Sequence, residues 1–424
     1  MKSASIQHHH KPIGLRYGWI ILAVLWVIGG VGIIQRLGWG HAFANYGSYV
    51  PWGLWVSTYI YFIGLSAGAF LLSSLVYVFR VHLLERVGPI ALITAVVTLF
   101  LALISIWFDL GHLDRFYYVF TRPNFRSMMA WMVWLYTGYF ILLISELYLV
   151  FGLLVKENMS EPSRRRWSVR RLLQTVTRPL NRFSREQVLS ALRLLGTLGI
   201  PLAIAFHGGV GALFATVAAR PTWHSPIYPI FFLTGALVSG GGLLMAIIAF
   251  LYPMAQTERR AALQYIGRIV GALLIFDIIL EWAEFSVPLW YGIGEEIETL
   301  RLILFGPYWW MFWVVHLLIG TVIPLVLLFF GKRIWQWGVA GLLIATTFLA
   351  VRLNLVVPEQ LTPPLHQLRE SFVDRRLQFE YVPSLHEWLV VVFLVAAGAT
   401  VIYLANLLLH RWGLLHAPTE EVAS

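Results

Sequence analysis

Three carboxylates, Asp277, Glu281 and Glu284, stand four and three residues apart inside an otherwise apolar run, so a helix would carry them on one face. A charged side chain at the centre of a bilayer costs about 2.5–3.5 kcal/mol on insertion scales, which turns such residues towards a bundle interior and towards function. Glu146 and His316 each interrupt another apolar run. With the stripe they form a candidate proton path; the plainer alternative is a set of protonated groups hydrogen-bonded between helices. His207 lies in Ile200-Pro-Leu-Ala-Ile-Ala-Phe-His207, followed by Gly208 and Gly209. An imidazole exchanges protons near neutral pH, its unperturbed pKa being about 6.5, and the glycines leave room for close approach. Asp109 closes a further apolar run, and Arg115 follows six residues later beyond Gly111. That spacing fits an ion pair across a turn, in which the Asp stays ionised and can still relay a proton. His112 and Asp114 flank the turn, and Trp223-His224 is a further aromatic and titratable pair.

The elements that must position these residues are membrane spans. The 424 residues are 59% hydrophobic and 12% charged, about half the charged share of a soluble domain. Ten runs are long and apolar enough to cross a bilayer: about 18–34, 54–79, 88–108, 128–154, 194–218, 227–251, 267–285, 308–330, 336–351 and 386–409. The fold class expected is therefore all-α and integral to the membrane. The Gly-rich stretch Gly38–Gly53 could re-enter the membrane and disturb the count between the first two runs. Ser184-Arg-Glu-Gln187 has the form of a capping box opening the fifth helix. With a cytoplasmic N-terminus, the inner segments hold 21 of the 31 Lys and Arg, including the basic run Arg164–Arg193. The positive-inside rule then places both tails, 1–17 and 411–424, in the cytoplasm around a polytopic region 18–410. It also assigns the net charge of +10 to loops facing anionic lipid rather than to nucleic acid. Ala42-Phe43-Ala44 mimics a signal-peptidase site but lies well beyond the first apolar run, so that helix is expected to be retained.

The absence of cysteine excludes disulfides, thiol nucleophiles and Cys-ligated iron–sulfur clusters from this chain. No loop is long enough for a soluble catalytic domain, and neither a phosphate-binding loop nor a dinucleotide fingerprint is present. A b-type haem needs two histidines facing each other within spans; only His207 and His316 lie clearly inside, so no haem is expected. The His8–His10 run sits on a terminal tail and reads as incidental.

The unusual loops all fall on the outer side: Gly38–Gly53, Asp109–Ser127, Arg220–Pro226, Gly306–Trp310 and Val351–Asn354. Turning at an interface accounts for one such loop better than for five, which points to binding or docking on that face. In Pro51-Trp-Gly-Leu-Trp55, the Asp109-Leu-Gly…Arg115 turn with Ser127-Met-Met-Ala-Trp131, the His207 segment and Trp223-His224-Ser225, the chain resembles the NrfD/PsrC-like membrane subunits of polysulfide-reductase-type complexes. Ten spans, Arg352-Leu-Asn354 and Tyr381-Val-Pro-Ser-Leu-His-Glu387 resemble the longer branch, found in alternative complex III and in periplasmic hydrogenase and sulfur-metabolism complexes.

The resemblance implies two four-helix bundles with peripheral helices, a quinone-side bundle over about 54–218 and a second over about 227–351. It implies a bacterial cytoplasmic-membrane subunit that binds menaquinone or ubiquinone as substrate, carries no haem or cluster itself, and exchanges electrons with an extracytoplasmic iron–sulfur protein. His207 and Asp109 would then be the catalytic pair, with His112, Arg115, Trp223 and His224 around the quinone. The family turn usually has Pro where Leu113 stands. The competing class is a secondary transporter or ion-translocating channel, suggested by the carboxylate stripe of the seventh span and the span count; it would show broken helices and an internal repeat, and the chain has the run Gly240-Gly241-Gly242 in the sixth span but no evident repeat.

Overall fold

A computed structural model describes residues 14–158, 169–292, 294, 296–365, 367–372 and 374–411; the His8–His10 run and most of both tails lie outside them. Among the described residues ten helices are long and apolar enough to span a membrane, and no strand occurs. They are α1 Gly14–Trp39, α2 Leu54–Tyr77, α3 Gly88–Asp109, α4 Met128–Asn158, α5 Arg185–Ala215, α6 Tyr228–Phe250, α7 Gln256–Tyr291, α8 Met311–Phe330, α9 Ile334–Val356 and α10 Leu385–Arg411.

Helices α2, α3, α4 and α5 pack as one bundle, and α6 to α9 as a second. The bundles meet where α2 and α5 lie against α6 and where α2 meets α9; α1 and α10 pair outside, against α3. Helix α2 is buried over most of its length because it serves both bundles. Its contact with α6 is backbone on backbone. A Cβ at Gly68 would lie 2.2 Å from the Ala236 carbonyl oxygen, and one at Gly240 only 2.7 Å from the Gly68 Cα. Between helices in lipid the hydrophobic effect adds little, so such close packing of small residues supplies the attraction.

The capping box expected to open the fifth helix forms, and two departures from the sequence expectation have local causes. The Ser184–Gln187 box closes reciprocally, with Gln187 N to Ser184 Oγ at 3.2 Å and Ser184 N to Gln187 Oε1 at 2.8 Å. Helix α5 therefore starts at Arg185, well before its apolar stretch. Residues Met311–Val322 of α8 form a π-helix, with the Thr321 hydroxyl donating to the His316 carbonyl at 3.1 Å; the wider turn is rare and concentrates at functional positions. Helix α9 runs to Val356 and is followed by the turn Pro358–Leu361. Val351–Asn354 is consequently not a loop but a buried part of α9. The Gly38–Gly53 stretch does not form a re-entrant helix; it lies over the end of the helices, with Ser48 N donating to Arg376 O at 2.7 Å.

The seam gives a direct test. Gly68→Val or Gly240→Val forces α2 and α6 apart, and overpacking of this kind costs about 1–3 kcal/mol or more. Both variants are expected to lower the thermal midpoint in detergent, whereas Gly30→Val, where nothing lies within 4 Å, is expected to leave it unchanged.

Candidate functional site

At the motif-bearing end, the end of α3 meets the end of α1. Arg36 donates from Nε to Phe108 O at 2.7 Å and from Nη2 to Leu110 O at 2.6 Å. It thereby satisfies two carbonyls left free where α3 stops, the position a cation favours at a helix C-terminus. Asp109 is next to it, facing Arg36 and the Tyr46 hydroxyl, and its Oδ1 is buried without a partner. The Trp55 ring is the centre of the surrounding group: His41 and His386 lie 5.6 and 5.5 Å from it, and the Arg36 guanidinium 5.7 Å. His386 Nδ1 is 3.0 Å from Gln35 Oε1, while its Nε2 and that of His41 are buried without partners. Burial, reinforced by the positive charge of Arg36, holds His41 below the usual imidazole value, so its ring is neutral at neutral pH.

A carboxylate network supports this rim. Glu387 is fully buried and accepts from Asn45 N at 3.1 Å, from Ser384 N at 2.9 Å and from the Tyr381 hydroxyl in a short hydrogen bond. Tyr381 in turn receives Leu54 N at 2.7 Å, and Trp55 Nε1 donates to Glu387 O at 3.1 Å. Helices α2 and α10 and the Gly38–Gly53 stretch are thus tied together behind Asp109.

The structure separates several residues grouped on sequence. Arg115 is not the partner of Asp109. The chain leaves α3 in an extended Leu110, and the short turn Leu113–Arg115 carries Arg115 to the surface, 3.9 Å from Asp114. His112 is exposed in the same turn. Trp223 is buried as an anchor, stacked on Trp52 at 5.7 Å and donating to Leu355 O at 2.8 Å. His224 is exposed, with Nδ1 2.6 Å from Ala215 O. His207 is completely buried, and both ring nitrogens lack partners. It faces Gly64 of α2, where a Cβ would lie 3.8 Å from its Cε1, and the Phe232 ring of α6. Gly64 is nine residues along α2 from Trp55, about 13 Å at 1.5 Å per residue. Asp109 and His207 therefore occupy different depths, the second at the seam between bundles.

Beyond that seam the α7 stripe enters the second bundle. His316 Nε2 lies 2.9 Å from Glu281 Oε2, and Ser225 Oγ donates to Glu284 at 3.0 Å. Asp277 is buried with Oδ1 unpartnered, near the Arg352 guanidinium. Arg352 is itself buried, with Nη1 unpartnered, its Cζ 4.7 and 5.5 Å from the Phe232 and Phe348 rings, and Nη2 3.5 Å from Phe232 O. Phe232 thus stands between His207 and Arg352. A cavity of about 50 Å³ is lined by Glu281, Glu284, His316, Asn354 and Glu359. Glu146 belongs elsewhere: it is buried in the first bundle beside Gly196 of α5, with Oε1 unpartnered, and does not extend the α7–α8 row.

Sequence reasoning missed Arg36, Tyr46, His41, His386, Glu387, Arg352 and Glu359 as site residues. Most could have been found from one signal, an ionisable residue within or just beyond an apolar run; Arg352 was masked by ending the ninth span at 351.

Ten helices long and apolar enough to span a membrane, in a chain without cysteine, define an integral membrane protein. Its family is shown by comparison: residues 43–364 match the family Polysulphide reductase, NrfD, and the chain belongs to it. It is 35% identical to a selenate reductase subunit of Mesobacillus selenatarsenatis over 383 residues, 87% of this chain and 88% of that protein. It is 27% identical to the "Hdr-like menaquinol oxidoreductase integral membrane subunit" of Archaeoglobus fulgidus, covering 82% and 81%. It is 26% identical to "Protein NrfD" of Escherichia coli, covering 65% and 83%.

The assignment of Arg36 rather than Arg115 beside Asp109 is open to measurement. Arg36→Gln removes two charge-assisted hydrogen bonds worth about 1.5–3 kcal/mol each and is expected to depress the thermal midpoint by several degrees. Arg115→Gln at the surface is expected to change the stability by less than about 0.5 kcal/mol and so to leave the midpoint close to that of the wild type.

Proposed function

We propose that this chain is the quinone-reactive membrane subunit of an oxidoreductase complex, exchanging electrons between a menaquinol or menaquinone and an iron–sulfur subunit docked on the motif-bearing end. The observation that carries the reading is the gathering of unpartnered buried atoms at one rim: His41 Nε2 and His386 Nε2 on rings beside Trp55, and Asp109 Oδ1 near Arg36, whose guanidinium lies over the same indole. Buried polar atoms in folded proteins nearly always have partners, so a group of exceptions in one place marks where a ligand supplies them. A quinone ring has the matching chemistry: an apolar body that stacks on aromatic rings, and two oxygens that accept hydrogen bonds when oxidised and donate when reduced.

The geometry supports a division of labour. Asp109 exchanges a proton at one ring oxygen, with the Tyr46 hydroxyl holding that carboxyl and the Arg36 charge close by. His41, held neutral, and His386 serve the other oxygen. His207 sits between this site and the Asp277–Glu281–His316 row, and it senses that row electrostatically, through the Arg352 charge beyond the Phe232 ring, with no proton passing across that ring. Proton movement through the second bundle is part of the proposal. So is the orientation: the basic loops lie in the cytoplasm, both termini with them, and the Asp109 end faces out of a bacterial cytoplasmic membrane. The relative named a menaquinol oxidoreductase subunit supports the quinone, and the relatives named as reductase and oxidoreductase subunits support a multisubunit setting.

The test is turnover of the intact complex with a soluble menaquinol analogue. Asp109→Asn is expected to cut turnover about 100-fold or more, the usual weight of a general acid–base group, with Arg115→Gln near wild type. Wild-type turnover in Asp109→Asn would reject the site. His207→Ala and Glu281→Gln are expected to retain quinone binding and assembly while slowing proton-coupled turnover. Unchanged rate and pH response in both would make those residues structural.

A further inference from the structure

A second, larger cleft, of about 760 Å³, lies away from Asp109, between α8, α9, the start of α10 and the extended segment before it. It runs from Leu361, in the turn after α9, down α9 from Leu353 to Thr346, the last stretch about 10 Å along the helix axis. Its depth is apolar, walled by Val315, Leu349, Ala350 and Leu353, and it is flanked by Trp310 and Trp388. Both indoles are about half exposed, as at a bilayer interface. Charge appears in the lining only as Arg369 and Glu380, both exposed, and both in the stretch between α9 and α10 at the motif-bearing end. They form no ion pair with each other among the described residues. Arg369 is held by its own Nη2, which donates to Leu361 O at 3.2 Å.

The hydroxyls in the wall are already committed. Tyr308 donates to Tyr381 O at 2.6 Å, Tyr381 to Glu387, and Thr346 to Leu342 O at 2.8 Å. The deep part of the cleft therefore offers a hydrocarbon chain a place but offers a quinone ring no hydroxyl donor. An elongated apolar slot with one cation and one anion at its mouth is complementary to a zwitterionic amphiphile. The geometry points to a bound phospholipid of the phosphatidylethanolamine type, with an acyl chain along α9, its phosphate on Arg369 and its ammonium on Glu380. This inference stands independently of the quinone reading.

Its test uses the full chain, in its complex, in nanodiscs. A phosphatidylethanolamine bearing a diazirine on one acyl chain is irradiated and the labelled peptides are mapped. Labelling is expected within residues 308–315 and 346–353, displaced by unlabelled phosphatidylethanolamine and about tenfold less well by phosphatidylglycerol. The double change R369Q and E380Q is expected to lower labelling about tenfold, and Ala350→Trp, which fills the slot, to abolish it, both with a wild-type thermal midpoint. Equal displacement by phosphatidylglycerol would show that the mouth does not read the head group and would overturn the assignment. So would labelling of the same peptides by an azidoquinone and its displacement by menaquinone, which would make the slot a quinone passage. The displacement experiments need only wild-type protein, so misfolding of a variant cannot rescue or sink the result.

Discussion

Helices α2 and α6 touch through their backbones, and everything else in the molecule is arranged around that line. Gly68 against Ala236 and Gly240 against Gly68 leave no space for a side chain, so the two bundles share one wall. Because the wall is thin, a side chain from one bundle can face a group of the other across a single ring. His207 of α5 and Arg352 of α9 do so across Phe232. Larger residues at the crossing would widen the wall and leave the imidazole and the guanidinium in separate compartments.

In lipid a polar group without a partner is costly, and most of this chain obeys the rule. Serines and threonines within the spans return their hydroxyls to the preceding turn, as Thr94, Thr98, Ser239 and Thr347 do. Against that background the exceptions are informative by position. Among them, one set gathers near Trp55 at the motif-bearing end, His207 lies at the seam, Asp277, Arg352 and Asn354 lie in the second bundle, and Glu146 lies in the first; Thr58, Thr222, Glu258, Arg259, Tyr403 and Asn406 are further exceptions outside these groups. The first three form a sequence of locations through the molecule. Arg352 and Asp277 attract each other without closing a salt bridge within 4.0 Å among the described residues, an arrangement that leaves both able to take another partner.

The spans were legible because lipid exposure imposes one simple requirement, a long apolar run, and that requirement reads directly from composition. The carboxylate stripe of α7 was legible for the same reason, as a violation of it. What composition could not convey was where a helix stops once tertiary contacts take over from hydropathy. Arg352 and Asn354 lower the apolar average, yet α9 continues through them because both point into the second bundle rather than into lipid. The π-helical turns around His316 have no signature in residue type. The partner of Asp109 was misplaced because sequence proximity favoured Arg115, six residues away, whereas Arg36 arrives from the end of another helix. Which charges come near each other between spans is set by packing, and packing was the quantity one sequence did not contain.

The rim around Trp55 also shows why α1 and α10 accompany bundles that could close without them. Arg36 comes from α1 and His386 and Glu387 from α10, and these are the residues that hold the end of α3 and complete the group facing Asp109. The peripheral pair therefore contributes side chains to the site rather than mere anchorage. Tyr381 extends the argument one step. Its hydroxyl joins Leu54 N to Glu387 on one side, while its ring lines the cleft between α8 and α9 on the other. Whatever fills that cleft presses on the same residue that seats Glu387 behind the rim. A lipid there would be a structural part of the Asp109 site, acting through a tyrosine on a carboxylate that never meets the substrate.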